Sequence, residues 1–221
     1  AKNLSRMVAI AHSVGKALFV SVVGMNIVEY GYLAKIAFEL GADLVELNLS
    51  CPNVLYTDQE KFIPCCNLDL FFKILVRVQH DVGSKKNISL KLSPFIDPHY
   101  IKQVAKMIQE FGCVKAVTLC NTFPDAFDYD EEGRPLLSGD GLGGLGGPGL
   151  KPISIGRIKQ FRALLPKRIQ IIGVGGVGCG KDAQDYLKAG ANIAQVGTKC
   201  FDKGVGVFSD ILSQFLDVKS T

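Results

Sequence analysis

Short apolar runs alternate with stretches of helical periodicity along nearly all of the 221 residues. Segments that alternate in this way form parallel sheets whose strands are joined by crossover helices, and both faces of such strands are apolar because helices cover them. The sequence therefore predicts an α/β fold. The predicted strands cover residues 17–24, 44–50, 88–92, 115–121, 169–175 and 193–197. The predicted helices cover residues 3–14, 27–40, 68–82, 98–111, 153–165, 181–189 and 205–216.

Polar residues follow nearly every predicted strand, and they favour one α/β architecture over another. In a (β/α)8 TIM-type barrel all carboxyl ends of the strands meet at one mouth, whereas an open doubly wound sheet needs polar residues only near one crevice. We therefore expect residues 1–221 to form a single (β/α)8 barrel domain. The residues in question are Asn26, Asn48, Lys91, Asn121, Gly175-Gly176 and Gly197-Thr198.

The number of predicted strands is too small for a closed barrel of this type. Six strands are predicted, whereas the barrel has eight and typically about 250 residues. We therefore expect one or two N-terminal βα units to be missing from this chain.

Composition and charge exclude several classes of function. The net charge is +4 and the basic residues are dispersed, so nucleic-acid binding has little support. No apolar stretch reaches the roughly 18 residues of a membrane span, and the first residues are not a signal peptide. Seven cysteines without a disulfide framework favour a reducing compartment, the cytoplasm. The three isolated histidines lack the spacing of metal ligands, so we expect no metal.

The run from Asn48 to Asn53, Asn-Leu-Ser-Cys-Pro-Asn, follows an apolar segment that is predicted to be a buried strand. Polar groups packed at a strand end cost free energy unless they are hydrogen-bonded. Two amides supply paired donors and acceptors, and the thiol of Cys51 can move a proton, so this combination suits a small polar heterocycle. The alternative is a strand that runs into a turn at Pro52.

Two glycine-rich stretches indicate close approach of the backbone to a ligand. Residues 139–149 contain seven glycines, and the interleaved Leu142 and Leu145 argue against a solvated linker. Residues 173–178 match the dinucleotide-binding pattern G-x-G-x-x-G, but the next predicted strand does not end in the acidic residue that such a fold requires. Residues 175–182 come close to a P-loop, but Asp182 stands where a P-loop has Ser or Thr. Gly175-Gly176 and Gly197-Thr198, with the next helix N-terminus, instead predict the phosphate site of a barrel and a phosphorylated cofactor.

The Asn48–Asn53 motif, Lys91, Asn121-Thr122, the glycines at 143–147 and Gly175-Gly176 occur in this order. With these motifs in this order, the sequence resembles the dihydroorotate dehydrogenase family, most of all its soluble, class 1 branch. The resemblance extends from about Leu18 to Phe208. The resemblance implies an FMN-bound barrel that oxidises dihydroorotate to orotate in de novo pyrimidine biosynthesis. It also implies a cytoplasmic homodimer, with fumarate or, with a partner subunit, NAD as the electron acceptor.

The resemblance also implies roles for single residues. Cys51 matches the general base that removes the C5 proton while hydride leaves C6 for flavin N5. Lys91 matches a lysine near flavin N1 and O2. Substrate contacts are implied for Asn48, Asn53, Asn121 and Thr122. FMN contacts are implied for Gly146, Gly147, Gly175, Gly176, Gly197 and Thr198.

Two departures from the family pattern leave alternatives open. The stretch after Asn53 lacks the Pro-Gly-Lys run that is common in the soluble branch, which leaves the electron acceptor undetermined. The sequence also resembles the pyrimidine-reducing domain of dihydropyrimidine dehydrogenase, which Thr122 and residues 133–135 favour. The expected loss of N-terminal strands, which would weaken FMN binding, motivates a third hypothesis, a non-catalytic remnant of the fold. The retained Cys51, Lys91 and Asn121 oppose that hypothesis.

Overall fold

A computed structural model describes residues 2–51, 55–57, 60–61 and 63–217. Contacts within the chain group it into two compact units. Unit 1 comprises Ala1–Thr118 and Ala163–Gln170, and unit 2 comprises Leu119–Arg162 and Ile171–Thr221. The single domain expected over residues 1–221 stays a prediction.

The helices and strands follow one another in the predicted alternation. The helices are α1 (Lys2–Ser13), α2 (Ile27–Glu39), α3 (Leu68–Val82), α4 (Pro98–Ile108), α5 (Lys151–Leu164), α6 (Gly180–Ala189), α7 (Thr198–Lys203) and α8 (Val207–Asp217). The strands are β1 (Phe19–Val22), β2 (Leu44–Asn48), β3 (Leu55–Thr57), β4 (Glu60–Lys61), β5 (Ile88–Leu92), β6 (Val114–Leu119), β7 (Phe123–Ala126), β8 (Gly143–Leu145), β9 (Gln170–Val174) and β10 (Ile193–Gln195). Short 3₁₀ turns cover Pro64–Cys66 and Gly147–Leu150.

Unit 1 contains parallel strands in the order β1-β2-β5-β6. The register places Glu46 of β2 between Ser21 of β1 and Ser89 of β5, and Asn48 opposite Lys91. Helix α3 packs against α2 and buries the apolar residues at its helical spacing, Phe71, Ile74, Leu75 and Val78. The sheet therefore brings the end of the motif strand beside Lys91.

Helix starts in unit 1 are set by short polar side chains. The Oδ1 atom of Asn67 accepts a hydrogen bond from the amide of Leu70, and Asn67 thereby caps α3. Asn26 caps α2 in the same way through the amide of Glu29. Asn26, which the sequence analysis placed among the strand-end polar residues, therefore has a structural role as a cap.

Unit 2 contains the parallel pair β9–β10 and an antiparallel hairpin of β7 and β8. In the hairpin, Phe123 pairs with Leu145 and Ala126 with Gly143, and the register shifts between them. The amides of Gly178 and Cys179 donate to the side chain of Asp182, which closes the first turn of α6.

Six parallel strands with connecting helices confirm the predicted α/β class and the strands of a partial TIM-type barrel. The hairpin in the long glycine-rich loop and the six-residue helix α7 were not predicted. Short glycine-rich strands lack the alternation of apolar and polar residues by which a strand is recognised. No helix among the described residues combines the length and the apolar character needed to cross a bilayer.

Candidate functional site

The end of β2 is fastened to its neighbours by hydrogen bonds that involve the motif itself. The amide of Leu49 and the hydroxyl of Ser50 both donate to the carbonyl oxygen of Lys91, at 3.2 and 3.1 Å. The buried hydroxyl of Tyr30 on α2 donates to the carbonyl oxygen of Asn48 at 2.9 Å. The backbone of the motif is thus hydrogen-bonded to other residues of unit 1, and the Asn48 side chain is half-buried.

Three of the predicted site residues, Asn48, Cys51 and Lys91, lie at the carboxyl ends of two neighbouring strands. Cys51 and Lys91 are both half-buried, which leaves their functional groups accessible to a ligand. No carboxylate in the described part of the chain forms an ion pair with Lys91. Asn53 lies outside the described residues, so its predicted role stays a prediction.

A buried carboxylate lies one pair of residues before Asn48 on β2. Glu46 accepts hydrogen bonds from the hydroxyls of Ser21, at 3.0 Å, and Thr118, at 2.5 Å. The hydroxyls of Thr118 and Ser89 are hydrogen-bonded to each other at 3.1 Å. This network joins four strands, and the sequence signal for it is a glutamate inside an otherwise apolar strand.

Cys65 and Cys66, which are adjacent in sequence, lie next to the Asn48–Asn53 motif. The amide of Cys65 donates to the carbonyl oxygen of Leu49 at 2.9 Å, and the amide of Ser93 donates to the Cys65 sulfur at 3.4 Å. Burial raises the pKa of the Cys65 thiol. A hydrogen bond from that thiol lowers the pKa of Cys66, which is exposed, to about 7.

In unit 2, Thr122 lies where several glycines converge. Asn121 accepts a hydrogen bond from the Thr122 amide at 2.9 Å, which fixes the backbone just after β6. A Cβ atom on Gly144 would collide with the Thr122 side chain. A Cβ atom on Gly146 would lie 3.6 Å from Thr122 Cγ2 and 3.5 Å from Thr198 Oγ1. Thr122, Gly146 and Thr198, predicted separately from the sequence, are therefore neighbours.

The glycines of the two predicted cofactor segments pack backbone against backbone. Gly147, Gly175 and Gly176 all have positive φ, at 69, 121 and 69°, a region that other residues rarely adopt. A Cβ atom on Gly176 would lie 2.7 Å from the carbonyl oxygen of Gly147. Gly197 is different, because no described atom outside its chain neighbours would lie within 4 Å of its Cβ.

Two buried side chains that the sequence analysis missed support these glycines. The Ser154 hydroxyl lies 2.6 Å from the carbonyl oxygen of Val174 and 3.0 Å from that of Leu119. The hydroxyl of Tyr186 donates to the carbonyl oxygen of Gly175. These contacts fix the end of β9. The sequence around each residue does not predict them, because the partners are separated along the chain.

The expected contribution of the next helix N-terminus to a phosphate site is not what the structure displays. Three amides at the start of α6 already have acceptors. Those of Gly178 and Cys179 donate to Asp182, and that of Gly180 donates to Gln214. The amides of Gly178, Cys179 and Gly180 are therefore already engaged within the chain.

The glycine segments and hydroxyls of unit 2 offer groups that suit a phosphate. Gly147, Gly175 and Gly176 carry no side chains beside their peptide groups, and the exposed Thr198 supplies a hydroxyl. For a metal the outcome is different. No group of three or more His, Cys, Asp or Glu side chains in the described ranges is arranged to hold an ion.

Comparison with known proteins identifies the family. The family model for dihydroorotate dehydrogenase matches residues 3–218. A dihydroorotate dehydrogenase (fumarate) of Saccharomyces paradoxus is 33% identical over 209 residues, which is 94% of this chain and 65% of that protein. A probable dihydroorotate dehydrogenase A (fumarate) of Enterococcus faecalis is 32% identical over 90% of this chain and 63% of its own length.

A third relative, a dihydroorotate dehydrogenase (fumarate) of Trypanosoma cruzi, is 31% identical over 92% of this chain and 64% of that protein. The chain thus spans a little under two thirds of the length of these relatives. The family match covers almost every residue, including all the predicted site residues. This chain belongs to the dihydroorotate dehydrogenase family.

Proposed function

We propose that this protein is an FMN-dependent oxidoreductase that oxidises dihydroorotate to orotate in pyrimidine biosynthesis. The observation that carries the proposal is the end of β2, where Asn48 and Cys51 follow one strand and Lys91 lies opposite Asn48 on the next. This set combines a proton acceptor, an amide and a cation. Relatives named dihydroorotate dehydrogenase (fumarate) support the same substrate.

Each residue of the motif has a proposed task. Cys51 is the general base that removes the C5 proton of the substrate, since a thiolate accepts a proton. Asn48, Asn53 and Asn121 hold the carboxylate and ring edges of the substrate, because amides donate and accept in one plane. Thr122 adds a hydroxyl contact.

The proposed cofactor contacts lie mainly in unit 2. Bound FMN supplies at N5 the acceptor for the hydride that leaves C6 of the substrate. Lys91 places a positive charge where the reduced cofactor carries negative charge. The phosphate end is held by backbone and hydroxyl groups of Gly146, Gly147, Gly175, Gly176, Gly197 and Thr198.

The electron acceptor, assembly and location follow from the same resemblance. We propose fumarate as the acceptor, because the relatives from yeast and from Trypanosoma cruzi carry that word in their names. We propose a homodimer in the cytoplasm as the working form.

Reduction of a pyrimidine is the second candidate, and one observation reduces its support. In the sequence, residues 133–135 favour that activity. In the structure, however, Arg134 forms ion pairs with Asp130 and Glu132, and Pro135 is bridged to Tyr129. Residues 133–135 therefore have a local structural role that accounts for them without a substrate.

The test is anaerobic addition of dihydroorotate to the full-length protein while the flavin absorbance is recorded. We expect bleaching in the parent protein. Cys51→Ala should retain flavin and slow its reduction by at least about 100-fold, because general-base catalysis contributes that much or more. Cys200→Ala is the control, since Cys200 is a half-buried thiol outside the predicted site.

The possible outcomes separate the three hypotheses. Unchanged reduction in Cys51→Ala would refute the base assignment. A bound flavin that ignores dihydroorotate but, once chemically reduced, is reoxidised by uracil would favour the pyrimidine-reducing alternative. A full-length protein without any flavin would favour the non-catalytic remnant.

A further inference from the structure

Lys151 lies at the junction of the two glycine segments of unit 2. It is the first residue of α5 and directly follows the turn Gly147–Leu150. Its ammonium nitrogen lies 2.5 Å from Asp182 Oδ1 and 2.8 Å from Asp185 Oδ2, both on α6. The Lys151 side chain is 23% exposed, so this double ion pair is largely shielded from solvent.

Asp182 is also hydrogen-bonded to the backbone that follows Gly176. Its second oxygen accepts the amides of Gly178, at 2.9 Å, and Cys179, at 3.1 Å. One carboxylate therefore joins the Lys151 ammonium to two peptide groups of the segment 175–179. The stem of Lys151 is also close, because a Cβ atom on Gly176 would lie 3.1 Å from Lys151 Cβ.

The ion pairs also settle the local charge. Asp182 and Asp185 bring two negative charges, and Lys151 and Lys181 bring two positive charges. Removal of the Lys151 charge would shift the charge of this cluster by one unit toward negative, leaving as cations Lys181 and Lys199, whose stem lies 3.9 Å from the Cβ position of Gly178. A phosphate dianion in the vicinity would then be repelled, and because the carboxylates are shielded this repulsion is screened less than on an open surface.

We propose that Lys151 is a positioning residue for the phosphate of the flavin cofactor. It holds the backbone of residues 175–179 against Gly147 and cancels the charge of the two aspartates, without itself serving as the phosphate ligand. The inference rests on the proposed function, because it takes the bound ligand to be FMN. Lys151, whose ammonium group is paired with two carboxylates, thereby has a role in cofactor binding.

The test compares two flavins that differ only in the phosphate. Apo-protein of the full-length chain is titrated with FMN and with riboflavin, and quenching of flavin fluorescence gives the Kd of each. Lys151→Met should raise the Kd for FMN about tenfold, which corresponds to roughly 1.4 kcal/mol. The Kd for riboflavin should change by less than about twofold, because riboflavin has no phosphate to be repelled.

Two further variants serve as controls. Lys151→Arg should restore FMN binding to within about threefold, since a guanidinium can bridge two carboxylates. Lys181→Met should leave both Kd values unchanged, because Lys181 is 61% exposed and contacts Asp185 alone among the two aspartates. If Lys151→Met does not fold, Lys151→Gln keeps most of the stem and should act in the same direction.

The outcomes distinguish this inference from the proposal beneath it. Equal FMN affinity in Lys151→Met and the parent would overturn the role of Lys151 alone. An equal loss of FMN and riboflavin would also overturn it, because it would indicate a general structural defect. A parent protein that binds neither flavin would refute the proposed function and the inference with it.

Discussion

Cys66 differs from the other six free cysteines in its surroundings. It is exposed, it precedes the N-terminus of the 15-residue helix α3, and it accepts a hydrogen bond from the buried Cys65 thiol. These features stabilise the thiolate, so its pKa is lowered to about 7. About half of the Cys66 side chains are therefore nucleophilic at neutral pH.

We expect the rate at which iodoacetamide alkylates Cys66 to have its midpoint near pH 7 and to level off at higher pH, since the rate follows the thiolate fraction. Peptide mass spectrometry at short times measures this rate and uses Cys200 as an internal reference. Cys65→Ala should shift the midpoint upward because it removes the hydrogen-bond donor. A rate for Cys66 that still rises steeply near pH 9 would contradict this assignment.

Asp185 gives unit 2 a dependence on acid pH. Hydrogen bonds from Lys151 and Lys181 lower the pKa of Asp185 to about 2. The unfolded chain binds a proton at about pH 4, so the stabilisation is fully present above that pH and disappears as pH falls toward 2. Asp185→Asn removes this contribution.

The melting temperatures of the parent and of Asp185→Asn should therefore converge as pH falls from 5 to 2. Differential scanning calorimetry over this range provides the comparison. Asp69→Asn is the matched control, because Asp69 also pairs with a lysine four residues away but is 72% exposed. A constant difference between the parent and Asp185→Asn would show that the ion pairs do not contribute in this way.

The strands of unit 1 depend on a polar network as well as on apolar packing. Glu46 accepts hydrogen bonds from hydroxyls on β1 and β6, and the Thr118 hydroxyl is in turn hydrogen-bonded to Ser89 on β5. Loss of the carboxylate leaves fully buried hydroxyls at Ser89 and Thr118 with fewer partners. The network thus contributes to the register of four strands.

Glu46→Ala should lower the free energy of unfolding by about 3 kcal/mol, because it removes several buried hydrogen bonds and creates a cavity. Glu46→Gln should cost less, since its amide can still bond both hydroxyls. Urea unfolding monitored by far-ultraviolet circular dichroism measures both values. Ser21→Ala is the control for a single, more exposed donor, and an alanine at position 46 that unfolds like the parent would refute the network's role.

The helices and strands were well predicted where their pattern is long or buried. Residues 68–82 and 88–92 were predicted with the bounds that the structure has, because α3 has a strong apolar periodicity and β5 has aliphatic residues at every second position. The ends of β1 and α4 differ by a few residues, since terminal turns depend on capping and local hydrogen bonds. The β7–β8 hairpin was missed because Gly143 and Gly144 carry no side-chain pattern.

The arrangement of the chain as two compact units was not foreseen, and neither was the way the predicted site residues group. Asn48, Cys51 and Lys91 belong to unit 1, while Thr122 and all the predicted FMN glycines belong to unit 2. The order of the motifs on its own could supply the candidate residues, but not their division between the two units. It could not reveal supports such as Ser154, Tyr186 and the Lys151–Asp182 pair, because those contacts join residues 11 to 35 positions apart and leave no local signal.

Asp182 does three things with one carboxylate: it begins helix α6, shapes the turn after Gly176 and neutralises Lys151. A change at position 182 therefore cannot be repaired by restoring one of these contacts. In evolutionary terms we expect positions 151 and 182 to change together, because a lineage that replaces one loses the partner of the other. Among relatives, a lysine at 151 without an acid at 182 should accordingly be rare.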